Sequence, residues 1–188
     1  RQRTQRLLDL QSEEVIYSNN ELEKKFRDLD TKIEQLSLLI ELSAAVNASL
    51  DPEKIYEQAL DRLVQLMGYE SAHLFLVDPS RRVLVAHKMA GHDPAVAEAF
   101  GGQELPLNAA TSVVGKVAVT GLPVLVNDVD SATEPVHRPT ALALTACALV
   151  SVPLRVKGRT FGVLTVVSST PGRFGEADIE LLSAVANH

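Results

Sequence analysis

Ala148-Leu-Val-Ser-Val-Pro-Leu-Arg-Val-Lys-Gly-Arg-Thr-Phe-Gly-Val-Leu-Thr-Val-Val-Ser-Ser169 decides the reading of this chain. It reads as two apolar strands joined at Lys157-Gly158-Arg159. β-Branched residues dominate both arms, and a glycine sits where the chain must reverse. Both arms are apolar on nearly every residue rather than on alternate ones, so both faces of these strands are covered. One cover would be helices. The other must be a second layer of chain or a ligand, and a sheet with something enclosed against it has the shape of a receptor.

The chain has 188 residues, 46% of them hydrophobic, and a formal net charge of −6. That suits one globular domain plus an appendage. An acidic balance and a 4% aromatic content without Trp argue against a nucleic-acid partner, which needs a clustered basic face and stacking rings. Cys147 is the one cysteine, so no internal disulfide can form and nothing suggests secretion. No run of about 18 apolar residues exists, so no membrane contact is expected within this segment. The expected location is cytoplasmic, with any membrane anchor of the parent protein lying elsewhere. The start at Arg1 and the end in mid-helix at His188 read as a piece of a longer protein.

Residues 1–48 contain neither proline nor glycine. From Leu22 onward the apolar residues Phe26, Leu29, Ile33, Leu36 and Ile40 follow in alternating steps of four and three. This is a heptad seam, with Leu22, Leu29 and Leu36 at d and Phe26, Ile33 and Ile40 at a. Val15 lies upstream, and Asn19 takes the preceding a position, where a buried Asn favours a parallel register. Lys25 at g would face Asp30 at e only in a parallel pair. The expected partner is therefore a second copy, as a homodimer through this helix; the alternative is an amphipathic helix folded back on its own domain. After Leu36 the helix is apolar nearly all round (Leu38, Leu39, Ile40, Leu42, Ala44, Ala45, Val46), as expected where it enters the body of the domain.

Asp51-Pro52 is a helix start, with an apolar face of Ile55, Ala59, Leu63, Leu66 and Met67 and a stop at Gly68. A hairpin follows, Ser71–Val77 and Val83–Met89 about the turn at Asp78-Pro79-Ser80. Gly91–Gly102 reads as a loop around a short helix, and Glu104–Leu107 as a short strand. Thr111 or Ser112 can cap a helix carrying Val113, Val114, Val117 and Val119. Gly121-Leu122-Pro123 breaks it before the strand Val124–Val126. Asn127–Thr140 is a polar loop with at most a turn of helix. Glu176–His188 is a final helix with Ile179, Leu182, Val185 and Ala186 on one face. Short connections between successive strands make the sheet mainly antiparallel, with helices on one side: an α+β fold.

In this order the residues resemble the GAF domain family. The resemblance covers about Leu36 to His188. It rests on Ser49-Leu50-Asp51, Ala72-His73-Leu74-Phe75-Leu76-Val77-Asp78 and Val114-Gly115-Lys116-Val117 before Gly121-Leu122-Pro123-Val124. Asn127-Asp128-Val129, Val152-Pro153-Leu154, Gly162-Val163-Leu164 and Phe174 followed by Asp178 complete it. The resemblance implies a GAF-like six-stranded antiparallel sheet with helices on one face, preceded here by a long coiled-coil helix, and a small-molecule pocket on the other face. The expected division is a helical segment 1–48 and a sensory domain 49–188. It also implies dimerisation through flanking helices and regulation of an output domain such as a histidine kinase or diguanylate cyclase.

A face packed on helices tolerates few polar groups, because an unpaired buried one costs about 1–3 kcal/mol. In the first strand the face of His73, Phe75 and Val77 is therefore the pocket candidate, rather than that of Ala72, Leu74 and Leu76. By the same logic Thr165 outranks Leu164 and Val166, and Cys147 and Ser151 share a face that can join it. The helix start at Thr111 and Ser112 offers free N–H groups to an anion, set against the plainer role of most such starts, which merely cap. Each of these is set against the plainer reading of a core residue bonded to backbone. His87, His92 and His137 read as surface residues.

No cofactor is named by the residues, and the expectation is a non-catalytic module with a small-molecule ligand of unknown identity. His87 and His92, five apart across a glycine, lack metal-ligand spacing. Haem on His137 and a bilin on Cys147 lack the surrounding motifs. Ser168-Ser169 stand where cyclic-nucleotide members have Asn-Lys, and Ile179 follows Asp178. Methionine sulfoxide reduction in this family uses several cysteines, and one cannot form the intramolecular disulfide. The remaining alternative is a ligand-free dimerisation spacer.

Overall fold

The computed structural model describes residues 51–187, with residues 21, 23–25, 27, 28, 31–33 and 37. The chain falls into two units, 1–38 and 39–188. In the first, the described residues are helical. Lys25 pairs with Glu21 at 3.6 Å and Arg27 with Glu23 at 3.9 Å, one helical turn apart. Val15, Asn19, Leu22, Phe26, Leu29, Leu36 and Ile40 of the expected seam lie outside the described residues, as do Asp30 and residues 38–46. Ile33 is described and is 53% exposed.

The second unit begins with α1 (Pro52–Met67), set by two local devices. The Asp51 carboxylate accepts from Glu53 N, and Gly68 ends the helix at φ +66°. Its buried face is centred on Leu60 and Leu63, whereas Leu66, expected there, is half-exposed. The apolar stripe of this helix is wider than the surface it covers. β1 (Ser71–Asp78) and β2 (Val83–Ala90) form the expected hairpin, held at its turn by the Asp78 carboxylate accepting from Ser80 N and Arg81 N. α2 (Pro94–Phe100) and the short β3 (Glu104–Pro106) follow.

α3 (Val113–Thr120) is capped by Ser112, whose Oγ accepts from Gly115 N at 2.9 Å. Thr111 instead donates to Asn108 O and is exposed. After β4 (Val124–Val126), the segment read as a polar loop holds α4 (Arg138–Ala143). The quoted hairpin is β5 (Ala148–Val156) and β6 (Arg159–Ser168). Lys157 and Gly158 turn the chain with φ of +50° and +79°, so both central residues are left-handed, as a two-residue turn matching strand twist requires. α5 (Glu176–Ala186) closes the unit.

The six strands form one antiparallel sheet in the order β3-β2-β1-β6-β5-β4. α1 packs on β1 and β2, and α5 on β5. Their face of the sheet carries Ala72, Leu74, Leu164, Val166, Val150 and Val152, all buried. The second cover, which the hairpin's composition demanded, is chain. Phe100, Val113, Val117, Ala141 and Leu144, from α2, α3 and the α4 segment, form a core with Phe75, Leu105, Val163, Leu149 and Val167 on the opposite face of the sheet. Among the described residues no helix is long and apolar enough to cross a membrane.

Candidate functional site

Strand pairing draws the polar residues of the second face into one row. His73 of β1 lies opposite Thr165 of β6, Thr165 opposite Ser151 of β5, and Ser151 opposite Val124 of β4. Ser151 Oγ and Thr165 Oγ1 are 2.8 Å apart and share one hydrogen bond in the core. His73 Nε2 bonds Ser71 Oγ, two residues back on the same face, at 3.1 Å. His73 is 1% exposed. Its ring lies 5.3 Å from that of Phe100 and 5.5 Å from that of His92. Burial, and then the neighbouring His92, pushes the His73 pKa down to about 3, so the imidazole is neutral.

Above this row lies a cavity of about 40 Å³. His73, Phe75, Thr165, Val167, Leu149 and Leu105 contribute from the strands, and Ser112, Val113 and Val114 from the start of α3. Val136, His137, Thr140, Ala141, Leu144 and Ala146 contribute from the α4 segment. His137 Nδ1 and Thr140 Oγ1 bond each other at 2.8 Å. The space suits a ligand of a few heavy atoms; a larger metabolite requires α4 to move, since ordinary ligand pockets measure about 300–1,000 Å³. Ala141 and Ala146 also line an outer cleft of about 730 Å³ with Arg138, Leu142 and Cys147. These two small residues are common to the linings of both spaces.

No Lys, Arg, Asp or Glu lines the inner cavity. The nearest cation on α3, Lys116, pairs with Glu134 at 2.5 Å. An anion brought here would lose several kcal/mol of hydration, and a helix N-terminus returns about 0.3–1 kcal/mol, up to ~2 in buried geometry. The balance favours an uncharged ligand. Among the described residues no three His, Cys, Asp or Glu side chains are grouped to hold a metal ion.

Of the residues expected at the site, His73, Phe75, Thr165 and Ser112 line the cavity. Ser151 supports Thr165 without lining it. Cys147 precedes β5 and lies in the outer cleft, and Thr111 faces out. Two histidines read as surface residues are not so placed. His137 lines the cavity because α4 folds back over the sheet. His92 is half-buried against His73, with an Nε2 that has no hydrogen-bond partner among the described residues. The signal for His137 was Arg138-Pro139, which opens α4 and sets Thr140, Ala141 and Leu144 beside it.

The two positions tied to cyclic-nucleotide members serve packing here. Ser168 Oγ donates to Glu70 at 2.5 Å, which holds the Glu70 carboxyl below its usual range together with Ser169 N. Asp178 accepts from Tyr69 Oη at 2.9 Å and from Gly175 N at 2.8 Å, fastening α5 to the α1–β1 junction. Neither lines the cavity.

A family model described as the GAF domain matches residues 49–188. No curated protein matches the chain. Among solved structures, the free methionine-R-sulfoxide reductase of Neisseria meningitidis, in complex with its substrate, is 23% identical with a TM-score of 0.68. The match covers 81% of this chain and 83% of that one. The GAF domain of a phosphoenolpyruvate-protein phosphotransferase from Coxiella burnetii is 20% identical, TM-score 0.68, over 82% and 89%. A fragment of a methyl-accepting chemotaxis protein is 22% identical, TM-score 0.63, over 78% and 90%. At these identities the likeness is one of fold.

Proposed function

The chain belongs to the GAF domain family, and from that premise we propose that it is a non-catalytic sensory and dimerisation module of a signal-transduction protein. The observation that carries this reading is the small apolar cavity lined by His73 and Thr165 on the face away from α1 and α5. A small molecule seated there would press on α3 and the α4 segment through Ser112, Val114 and Thr140. Sheet and flanking helices would pass the change to the N-terminal helix and on to an output domain such as a histidine kinase or diguanylate cyclase. That output is what family membership implies; these residues do not name it. The half-exposed Ile33 supports the dimer, since an apolar a position is what a second copy would cover.

The small volume favours the alternative, a ligand-free dimerisation spacer. An enzyme of the methionine sulfoxide reductase type is disfavoured by chemistry: Cys147 is the one cysteine and cannot close an intramolecular disulfide.

A thermal-shift screen of a metabolite library separates the sensor from the spacer. Ala141→Leu places three further carbons in the cavity. Compounds that stabilise the wild-type chain by several degrees and lose that effect in Ala141→Leu support the sensor. A screen in which no compound distinguishes the two proteins supports the spacer.

A further inference from the structure

The start of α3 leaves two donors without partners. Ser112 Oγ accepts from Gly115 N, and Ser112 O from Lys116 N. Val113 N and Val114 N form no hydrogen bond among the described residues, although both residues are buried, at 3% and 8% exposure. Buried backbone N–H groups are almost always paired, and a helix start concentrates partial positive charge on such groups. In the same lining, His73 uses Nε2 on Ser71, and its Nδ1 has no partner among the described residues. With Ser71 Oγ donating to Nε2, the neutral ring carries its proton on Nδ1 and becomes a third donor. All three residues line the same cavity. The same lining holds the apolar Leu149, Val167 and Leu144.

We propose that this cavity is built for an uncharged ligand group bearing an oxygen acceptor, such as an amide, ketone or sulfoxide, seated between Val113 N, Val114 N and His73 Nδ1. The inference rests on the ligand-sensing reading above and adds its chemical class. The three donors belong to residues that line one cavity with no acid side chain to accept from them, so a ligand oxygen is the matching group. The absence of a cation from the lining disfavours the carboxylate or phosphate that donors alone would otherwise attract. The apolar walls fit a short hydrocarbon remainder.

Acetamide and acetate are nearly isosteric and differ in charge, and xenon is apolar, so the three separate the possibilities. Each is titrated at neutral pH into the ¹⁵N,¹³C-labelled 1–188 chain. Acetamide is expected to move the Val113 and Val114 amide resonances saturably and to move the His73 Nδ1 resonance with them. Acetate is expected to bind at least tenfold more weakly. His73→Phe should weaken acetamide about tenfold, the loss of one hydrogen bond; the His73 Nδ1 resonance of the wild-type protein tests the contact if that variant does not fold. Acetate binding as tightly as acetamide overturns the proposal. Xenon moving the Val113, Val114 and Leu149 methyls while acetamide moves no amide of α3 overturns the proposal and leaves the sensor standing. Entry of neither probe overturns both.

Discussion

At the scale of single residues, His73 ties stability to pH. Its neutral form is the one the core accepts, and its pKa in the fold is about 3 against the ordinary 6.5. The unfolded chain therefore takes up this proton first as pH falls. The contribution is fully present above pH 6.5 and is lost between there and about pH 3, with a slope of up to ~1.4 kcal/mol per pH unit. Denaturant midpoints at pH 7 and pH 5 should differ in the wild-type chain and differ less in His73→Phe. Burial holds His92 down as well, so part of the slope remains. The Ser151–Thr165 bond makes a second residue-scale prediction. Thr165→Val alone strands the Ser151 hydroxyl in the core and should cost about 1–3 kcal/mol. Adding Ser151→Ala should recover part of that loss, so the double variant is more stable than the sum of the two single ones. Strand alternation, with the rule that a helix-packed face tolerates few polar groups, placed His73, Phe75 and Thr165 on one face, where the strand pairing also sets them. The histidine at 137 was not legible in this way, because its place depends on a six-residue helix folding back over the sheet.

At the scale of elements, legibility follows local chemistry. α1 has Asp51, Pro52 and Gly68 at its ends, and both ends were readable. The quoted hairpin declares its turn with Lys157-Gly158. α4 has no side-chain cap on its N-terminal N–H groups and only six residues, so its surroundings determine it more than its sequence does. The second cover of the sheet is made of such pieces, which is why its nature stayed open. α3 is closely seated: a Cβ added at Gly115 would lie 2.3 Å from Asn108 O. Gly115→Ala should therefore push α3 away from the Pro106–Asn108 backbone and cost about 1–3 kcal/mol as overpacking does, read as a lower urea midpoint with an unchanged slope. The far end of α3 is held differently, with the Arg155 guanidinium donating to Gly121 O. Both ends of the helix that carries the proposed donors are thus fixed to the body of the domain.

At the scale of the whole molecule, the proposed dimer makes the N-terminal helix the output shaft and the cavity the input. Light scattering on the 1–188 chain at micromolar concentration should give twice the chain mass. Leu29→Lys with Ile33→Lys should halve that mass without unfolding residues 51–187; a wild-type monomer would refute the dimer. The heptad spacing carries that expectation, since most of the seam lies outside the described residues. Sensing is the central claim, and native mass spectrometry of the chain purified from cells tests it most directly. The account predicts a small non-covalent adduct that is shed on collisional activation and is absent from Ala141→Leu. A wild-type protein whose mass in gentle spectra is that of polypeptide alone, with no adduct in any oligomeric state, would contradict it.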